Sequence, residues 1–373
     1  MGDLTCHGRP ANSDDGNAHG HVRRIARARS GLHRSLWGIL RSPAGFGSGA
    51  TRSLAAVSTW HPYPLVFPSR DVPPFGPGLA PARGLFGRLR DRLVRPLATR
   101  PIEAFFPRVQ ALREAAGAPP VASVMAHLMR PPLVLALTAE PFEYARRDWP
   151  PNVRLVGPGL WTPLLDEAQD RSGWCEPTGK AATEGRPYPT GQIPIPESRA
   201  SLSVPTFEKP ALLVTCSTEY QADQRLAQVA VEAFSHDPRF TLVVTTGGVD
   251  PAEVPAPDGV VVRRFFPHQT LLGRAGAVAA VICHGGMGIT QRALAAGVPV
   301  LAVPFGRDQS EVGRRVEVAG AGVMLPRRKL SASSLRAALE VTLGRADGAT
   351  RIARAFAETG PERFADQLEA FNR

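Results

Sequence analysis

Lysine is nearly missing from this chain: of 44 basic residues only 3 are Lys. Acidic residues are absent between Asp15 and Asp71, and Glu is absent from the first 100 residues. Those residues hold 15 Arg against 5 Asp, so nearly all of the formal charge of +11 sits there. The rest of the chain is close to neutral, which argues against a basic stripe for nucleic acid across a folded body. The Arg-over-Lys skew fits GC-rich coding better than phosphate recognition. Cysteine is scarce too. Cys6, Cys175, Cys216 and Cys283 are far apart and form no C-x-x-C pair. Neither a zinc site nor a disulfide framework is expected, and a reducing, cytoplasmic setting is. No apolar run approaches the length that spans a bilayer, so no integral membrane segment is expected. The first 30 residues lack a signal peptide's apolar core.

A chain of 373 residues can form two domains. Residues 1–58 are rich in Arg and Gly and show little periodicity, so they are expected to be disordered or of foreign origin. The body is expected to start at Thr59, with WHPYPLVFPSRDVPPFGPGL as a shaped loop. Helical spacing follows over 84–116, then short buried strands in PPLVLALTAEP (131–141) and VRLVGPGLW (153–161). Residues 166–210 are poor in large apolar groups and read as a linker. From 211 to 373, continuous apolar runs alternate with helices: ALLVTC, TLVVTT, VVVRRF, AVAAVIC and VPVLAVP, with helices expected at 222–235, 268–275, 287–296, 309–319 and 331–344. Two more helical stretches flank Gly360-Pro361. Strands of this kind predict an α/β fold, a parallel sheet covered on both faces.

The segment from Ile282 to Gln309 concentrates the chemistry. A strand, a glycine turn and a helix start make a place for a phosphate, because free N–H groups and the helix dipole both face it. His284 adds a donor beside Gly285, Gly286 and Gly288, and Thr290 follows in the first turn as a hydroxyl or a turn cap. Asp308 and Gln309 come after the next strand, where open α/β sheets place ligand contacts. A phosphate cradle and a polyol-binding pair suggest a nucleotide-sugar site.

VTCST (214–218), FFPHQTLL (265–272), CHGGMGITQRALAAGVP (283–299), VPFGRDQ (303–309) and AGAGVML (319–325) occur in order over more than 100 residues. This set resembles the donor-binding half of natural-product UDP-glycosyltransferases, the bacterial macrolide type above all. The resemblance implies two facing Rossmann-like domains of the GT-B type, of which 59–165 is the remainder of an incomplete acceptor domain and 211–373 the donor domain. It implies a tail that crosses back to the first domain. It also implies transfer of a hexose or deoxyhexose from a UDP or dTDP sugar to a hydroxyl of a small lipophilic acceptor. Transfer would be inverting, with the nucleotide sugar as co-substrate and no cofactor or metal.

Carried over residue by residue, the resemblance puts Ser217, Thr218, His284, Gly285, Gly286, Gly288 and Thr290 at the diphosphate. Phe265, Phe266 and His268 fall at the base, with either Phe available to stack, and Asp308 and Gln309 fall at the sugar. Arg292 stands where the family has a ribose-gripping Glu. Arg cannot accept a hydrogen bond, so it is expected to face a phosphate or to turn to Glu311. The base that deprotonates the acceptor is a His after the first strand, in a Gly-His context. Gly20-His21-Val22 offers that match, although no apolar strand precedes it. The alternative reading is a nucleotide-sugar-binding or auxiliary protein that lacks this His.

Overall fold

The apolar runs of the second half are long enough for strands and too short for helices, and their burial follows. In the computed structural model, which describes residues 57–60, 69–160, 205–218, 221, 223–360, 363, 366–367 and 370–371, two parallel sheets form. The first contains β1 (Val57–Trp60), β2 (Leu133–Ala136) and β3 (Val153–Leu155), paired in that order. Three helices accompany it: α1 (Gly84–Glu103), α2 (Phe106–Ala115) and α3 (Val124–Leu128). Strand β1 corrects one expectation. It runs through position 59, where the folded body was expected to begin with a loop, and its pairing with β2 defines that edge of the sheet. Helix α3 was also not anticipated; Ser123 starts it by accepting from the Ala126 N–H.

The second sheet has six strands: β4 (Ala211–Thr215), β5 (Thr241–Thr245), β6 (Val261–Arg263), β7 (Val278–Cys283), β8 (Val300–Ala302) and β9 (Gly322–Met324). Their order is β6-β5-β4-β7-β8-β9, all parallel. Side chains alternate between faces with period two. Leu213, Val243 and Val281 enter one apolar cluster, while Leu212, Val214, Leu242 and Val244 enter the other. The first face is covered by α5 (His268–Leu272), α6 (Met287–Ala295), α7 (Gln309–Val318) and α9 (Ala346–Ala357); the second by α4 (Gln224–Phe234) and α8 (Ala332–Leu343). Helix α4 shows why. Leu226, Ala227, Ala230 and Phe234 recur on one face and are all buried. Truncating Leu226 to Ala would cost about 2–5 kcal/mol.

The two sheets are tied in several places. Ala139 and Phe142, just after β2, pack into the first-face cluster, and the Phe142 ring meets Phe356 of α9 edge-on at 6.2 Å. Gln291 of α6 donates to the Leu137 carbonyl at 2.8 Å. After α9 the chain returns to the first sheet: the Gly360 N–H donates to Val156 O at 3.0 Å, and Phe371 packs against the cluster of Leu133, Leu135 and Val156. At that crossing a side chain on Gly157 would strike Thr359 Oγ1, at 2.1 Å from an ideal Cβ. The returning tail implied by the resemblance is therefore present. No helix among the described residues is long and apolar enough to cross a membrane.

Candidate functional site

The strand order reverses between β4 and β7, where Thr215 pairs with Cys283. Loops leaving the carboxyl ends of neighbouring strands part company at such a switch point and open a crevice. Ser217 and Thr218 leave β4 there, and His284 to Gly286 leave β7. The crevice thus falls on the motifs that the sequence singled out.

Gly286 immediately precedes α6, and no side chain caps the helix. The first N–H groups of a helix have no acceptor within it, so this end presents donors and positive potential. An ideal Cβ on Gly286 would lie 2.4 Å from His284 Nε2, so the ring stands directly over this residue and would have to move to admit a side chain. Gly285 has φ +85°, a conformation that favours glycine. A Cβ on Gly288 would meet nothing within 4 Å; this face of the first turn is open. Thr290 departs from expectation. It is fully buried, with Oγ1 3.8 Å from Cys283 Sγ, so its hydroxyl faces the helix–sheet seam and not the crevice.

Burial holds His284 below the ordinary imidazole pKa. Asp223, the Thr215 carbonyl and Asp308 pull it the other way, and Arg307 adds to the lowering. Asp223 is fully buried just before α4, yet its carboxylate does not cap that helix. Instead Oδ2 accepts from the Ser217 N–H at 2.6 Å and lies 3.9 Å from His284 Nδ1. Ser217 is buried and accepts at Oγ from Gln221 Nε2 at 2.9 Å, while Thr218 is exposed. Cys216 and Cys283 are free, buried thiols. Burial raises them to about 12 and about 11, so both stay protonated and neither is a nucleophile near neutral pH.

On the other side of β4, the segment after β6 separates its two aromatics. Phe266 is 6% exposed and belongs to the apolar core, which removes it as a stacking surface, whereas Phe265 is half-buried. His268 opens α5 with Nε2 3.1 Å from Thr245 Oγ1. Burial first, and then the charge of Arg292, push its pKa down to about 4. Arg292 on α6 therefore faces the same region as His268.

The loop after β8 carries Arg307 at φ +54°, a strained value for a side-chain-bearing residue, immediately before Asp308. Asp308 is half-buried at the start of α7. Gln309 is 2% exposed and already engaged. Its Oε1 accepts from the Phe305 and Gly306 N–H groups at 2.7 and 3.1 Å, and its Nε2 donates to Gln221 Oε1. The free polyol-binding amide expected from sequence is here a loop fastener. Glu311 has partners elsewhere. Its Oε1 accepts from the Gly76 and Gly78 N–H groups, both at 2.8 Å, and Oε2 pairs with Arg315 at 3.2 Å.

His21, the candidate base, lies outside the described residues, as do Cys6, Cys175 and most of the linker at 166–210. Among the described residues no group of three or more His, Cys, Asp or Glu side chains is arranged to hold a metal ion. Sequence reasoning missed Asp223 and Gln221, and it missed the role of Glu311 in holding the Gly76 and Gly78 N–H groups and Arg315. An Asp preceding an apolar helix reads as a cap, and nothing local signals that its carboxylate turns back to β4.

Residues 241–371 match the C-terminal domain of erythromycin biosynthesis protein CIII-like proteins. The chain is 33% identical over 281 residues to 4'-demethylrebeccamycin synthase of Lentzea aerocolonigenes, covering 74% of this chain and 59% of that protein. It is 30% identical over 216 residues to a PGL/p-HBAD biosynthesis glycosyltransferase of Mycobacterium tuberculosis, covering 57% of this chain and 41% of the relative. The chain thus spans less than two thirds of the length of these relatives. Its fold is that of the calicheamicin glycosyltransferase CalG4, with a TM-score of 0.54 at 21% identity over 96% of this chain and 83% of that one. By its two Rossmann-like sheets and by its sequence, the chain is a GT-B-type protein related to the bacterial natural-product sugar transferases.

Proposed function

We propose that the chain binds a nucleoside diphosphate sugar at the β4–β7 switch point and transfers its hexose or deoxyhexose to a hydroxyl of a small lipophilic acceptor. The observation that carries this reading is the uncapped start of α6, open at Gly288 and flanked by His284. Donors at a helix start, in a crevice outside a parallel sheet, favour a diphosphate. In this reading His284 and the N–H groups of the 285–288 turn meet the diphosphate, with Ser217 and Thr218 across the crevice. Phe265 and His268 lie towards the base, and Asp308 towards the sugar. Gln309 reaches the sugar only by releasing Gln221.

Transfer is a displacement at the anomeric carbon. The acceptor oxygen forms the new C–O bond as the bond to the diphosphate breaks, and the acceptor proton goes to a base. Attack from the face opposite the leaving group inverts the centre. The diphosphate leaves with its growing charge held by the helix start and His284, a role that a divalent cation would otherwise fill. His21 is the candidate for the base, and the acceptor would lie between the two sheets.

Isothermal titration with UDP, dTDP and their glucose esters tests the donor site. Micromolar binding lost in His284→Ala is the expected result; no binding by any of the four would end this reading. A nucleotide-sugar-binding role without turnover is distinguished by product analysis. Donor hydrolysis or transfer that disappears in His21→Ala supports the enzyme, and tight binding without either supports the binder.

A further inference from the structure

Two buried polar atoms of the crevice lack hydrogen-bond partners: a carboxylate oxygen of Asp223, Oδ1, and the Nδ1 of His284. Leaving a buried polar atom unpaired is costly, so a state that gives Nδ1 a partner is favoured. The other carboxylate oxygen, Oδ2, is fixed by the Ser217 N–H at 2.6 Å and lies 3.9 Å from Nδ1. At the opposite end of the ring, Nε2 stands over Gly286 at the start of α6. The imidazole therefore spans the space between a buried acid and the proposed diphosphate position.

Hydrogen-bonding capacity then dictates the protonation state. A carboxylate only accepts, so the nitrogen facing Asp223 must carry a proton. In the neutral ring the other nitrogen is then a bare acceptor, and it would confront diphosphate oxygens that are acceptors as well. The reverse tautomer sets the Nδ1 lone pair against the buried carboxylate. Only the doubly protonated ring satisfies both neighbours.

We propose that Asp223 is the positioning residue for His284, and that the pair binds the diphosphate of a nucleotide sugar by taking up one proton from solvent. Nδ1–H then donates to Asp223 and Nε2–H to a diphosphate oxygen. The inference rests on the proposed donor site. No other bond is made or broken, and the proton returns to solvent when the nucleotide leaves. The gap of 3.9 Å is open in this structure, and a charge-assisted bond would close it by about 1 Å. The groups facing the ring are Asp223 before α4, the Thr215 carbonyl on β4, and Asp308 and Arg307 before α7. Cys283, next in the chain, stays neutral. During transfer the charged ring faces the leaving diphosphate, so the same pair serves the departing group.

The test is calorimetric titration of the full chain with UDP-glucose and dTDP-glucose, diphosphate diesters with no phosphate proton titrating near neutrality. Buffers of different ionisation enthalpy report the protons taken up. The wild type should take up close to one proton at pH 7.5, and its Kd should weaken by about tenfold per pH unit above that. Asp223→Asn keeps an oxygen for the Ser217 N–H; it should bind at least tenfold more weakly, without proton uptake and with a flat pH profile. Binding by the wild type without proton uptake overturns this inference and leaves the donor site standing, whereas failure to bind either sugar nucleotide removes both. Uptake that survives in Asp223→Asn but vanishes in Asp308→Asn assigns the proton elsewhere and also overturns it. Should Asp223→Asn not fold, the proton count of the wild type and the nitrogen-15 shifts of its His284 ring decide the matter.

Discussion

Arg315 of α7 and Glu143, 172 positions apart in the chain, form an ion pair at 2.9 Å with both side chains 3% exposed. The guanidinium also pairs with Glu311 at 3.2 Å and lies over the Tyr144 ring at 4.2 Å. Glu311 in turn holds the Gly76 and Gly78 N–H groups. One arginine therefore fastens the segment after β2, and through Glu311 the 76–78 loop, onto the donor-site sheet. Removing one partner of a buried pair leaves a charge uncompensated. Arg315→Ala should lower unfolding free energy by about 3–5 kcal/mol in a denaturant titration, while Arg315→Met combined with Glu143→Leu and Glu311→Gln should lose much less. Equal losses in the two proteins would contradict this account.

Two glycines of one turn should respond oppositely. Gly286→Ala places a methyl 2.4 Å from His284 Nε2, so the ring must move. Nucleotide affinity should fall at least tenfold, although the backbone angles, φ −64° and ψ 137°, suit alanine. Gly288→Ala enters open space. Its melting temperature should match the wild type, and any loss of affinity then measures how closely a phosphate approaches that turn. Thermal shift assays with and without dTDP separate the cases.

Adjacent phenylalanines should split stability from binding. Phe266→Ala empties a core position and should cost about 3–5 kcal/mol. Phe265→Ala should leave stability within about 1 kcal/mol and weaken nucleotide binding, since stacking on a base contributes about 1–3 kcal/mol. An unchanged Kd for UDP and dTDP in Phe265→Ala would take that ring out of the site.

Acid should destabilise the protein through histidines kept neutral by folding. The folded pKa of His268 is lowered to about 4 from an ordinary value of 6.5, and those of His284 and His127 are lowered as well. The unfolded chain then binds more protons than the folded one. Their contribution is complete above about pH 6.5 and is lost as the pH falls towards the folded values. His268→Gln should show a shallower loss of melting temperature between pH 6.5 and 4.5. A slope identical to the wild type would exclude His268 as a source.

Arg292 can be probed by charge reversal. Arg292→Glu restores a ribose-gripping carboxylate and replaces the charge that lowers His268. Affinity for a UDP sugar should rise relative to a dTDP sugar, because only the former has both ribose hydroxyls. A uniform loss for both donors would show that Arg292 makes a phosphate contact of its own.

The second sheet was legible because its strands are unbroken apolar runs: β4 and β8 are buried at every position, and helices such as α4 show one apolar face between them. The glycine turn was legible because strand, Gly cluster and helix follow within a few residues. What escaped is long-range. Strand β1 reads VSTW, a mixed tetrapeptide beside a Pro-rich stretch, and its identity comes from pairing with β2 more than 70 residues later. The tasks of Asp223 and of Gln309, which reads as a free amide, stayed hidden because period and propensity are silent about which distant group claims a side chain. Phe265 and Phe266 are neighbours with the same chemistry, so only the packing of the sheet told them apart.

The grip between Gln309 and Gln221 has a bearing on selectivity. A visiting hydroxyl that reaches this carboxamide trades places with an amide already in contact, so the exchange is nearly even and adds little grip. A visitor lacking that hydroxyl, yet still pushing Gln221 aside, would strand a polar end in a dry niche. Such a latch discriminates by punishing the wrong guest more than by rewarding the right one.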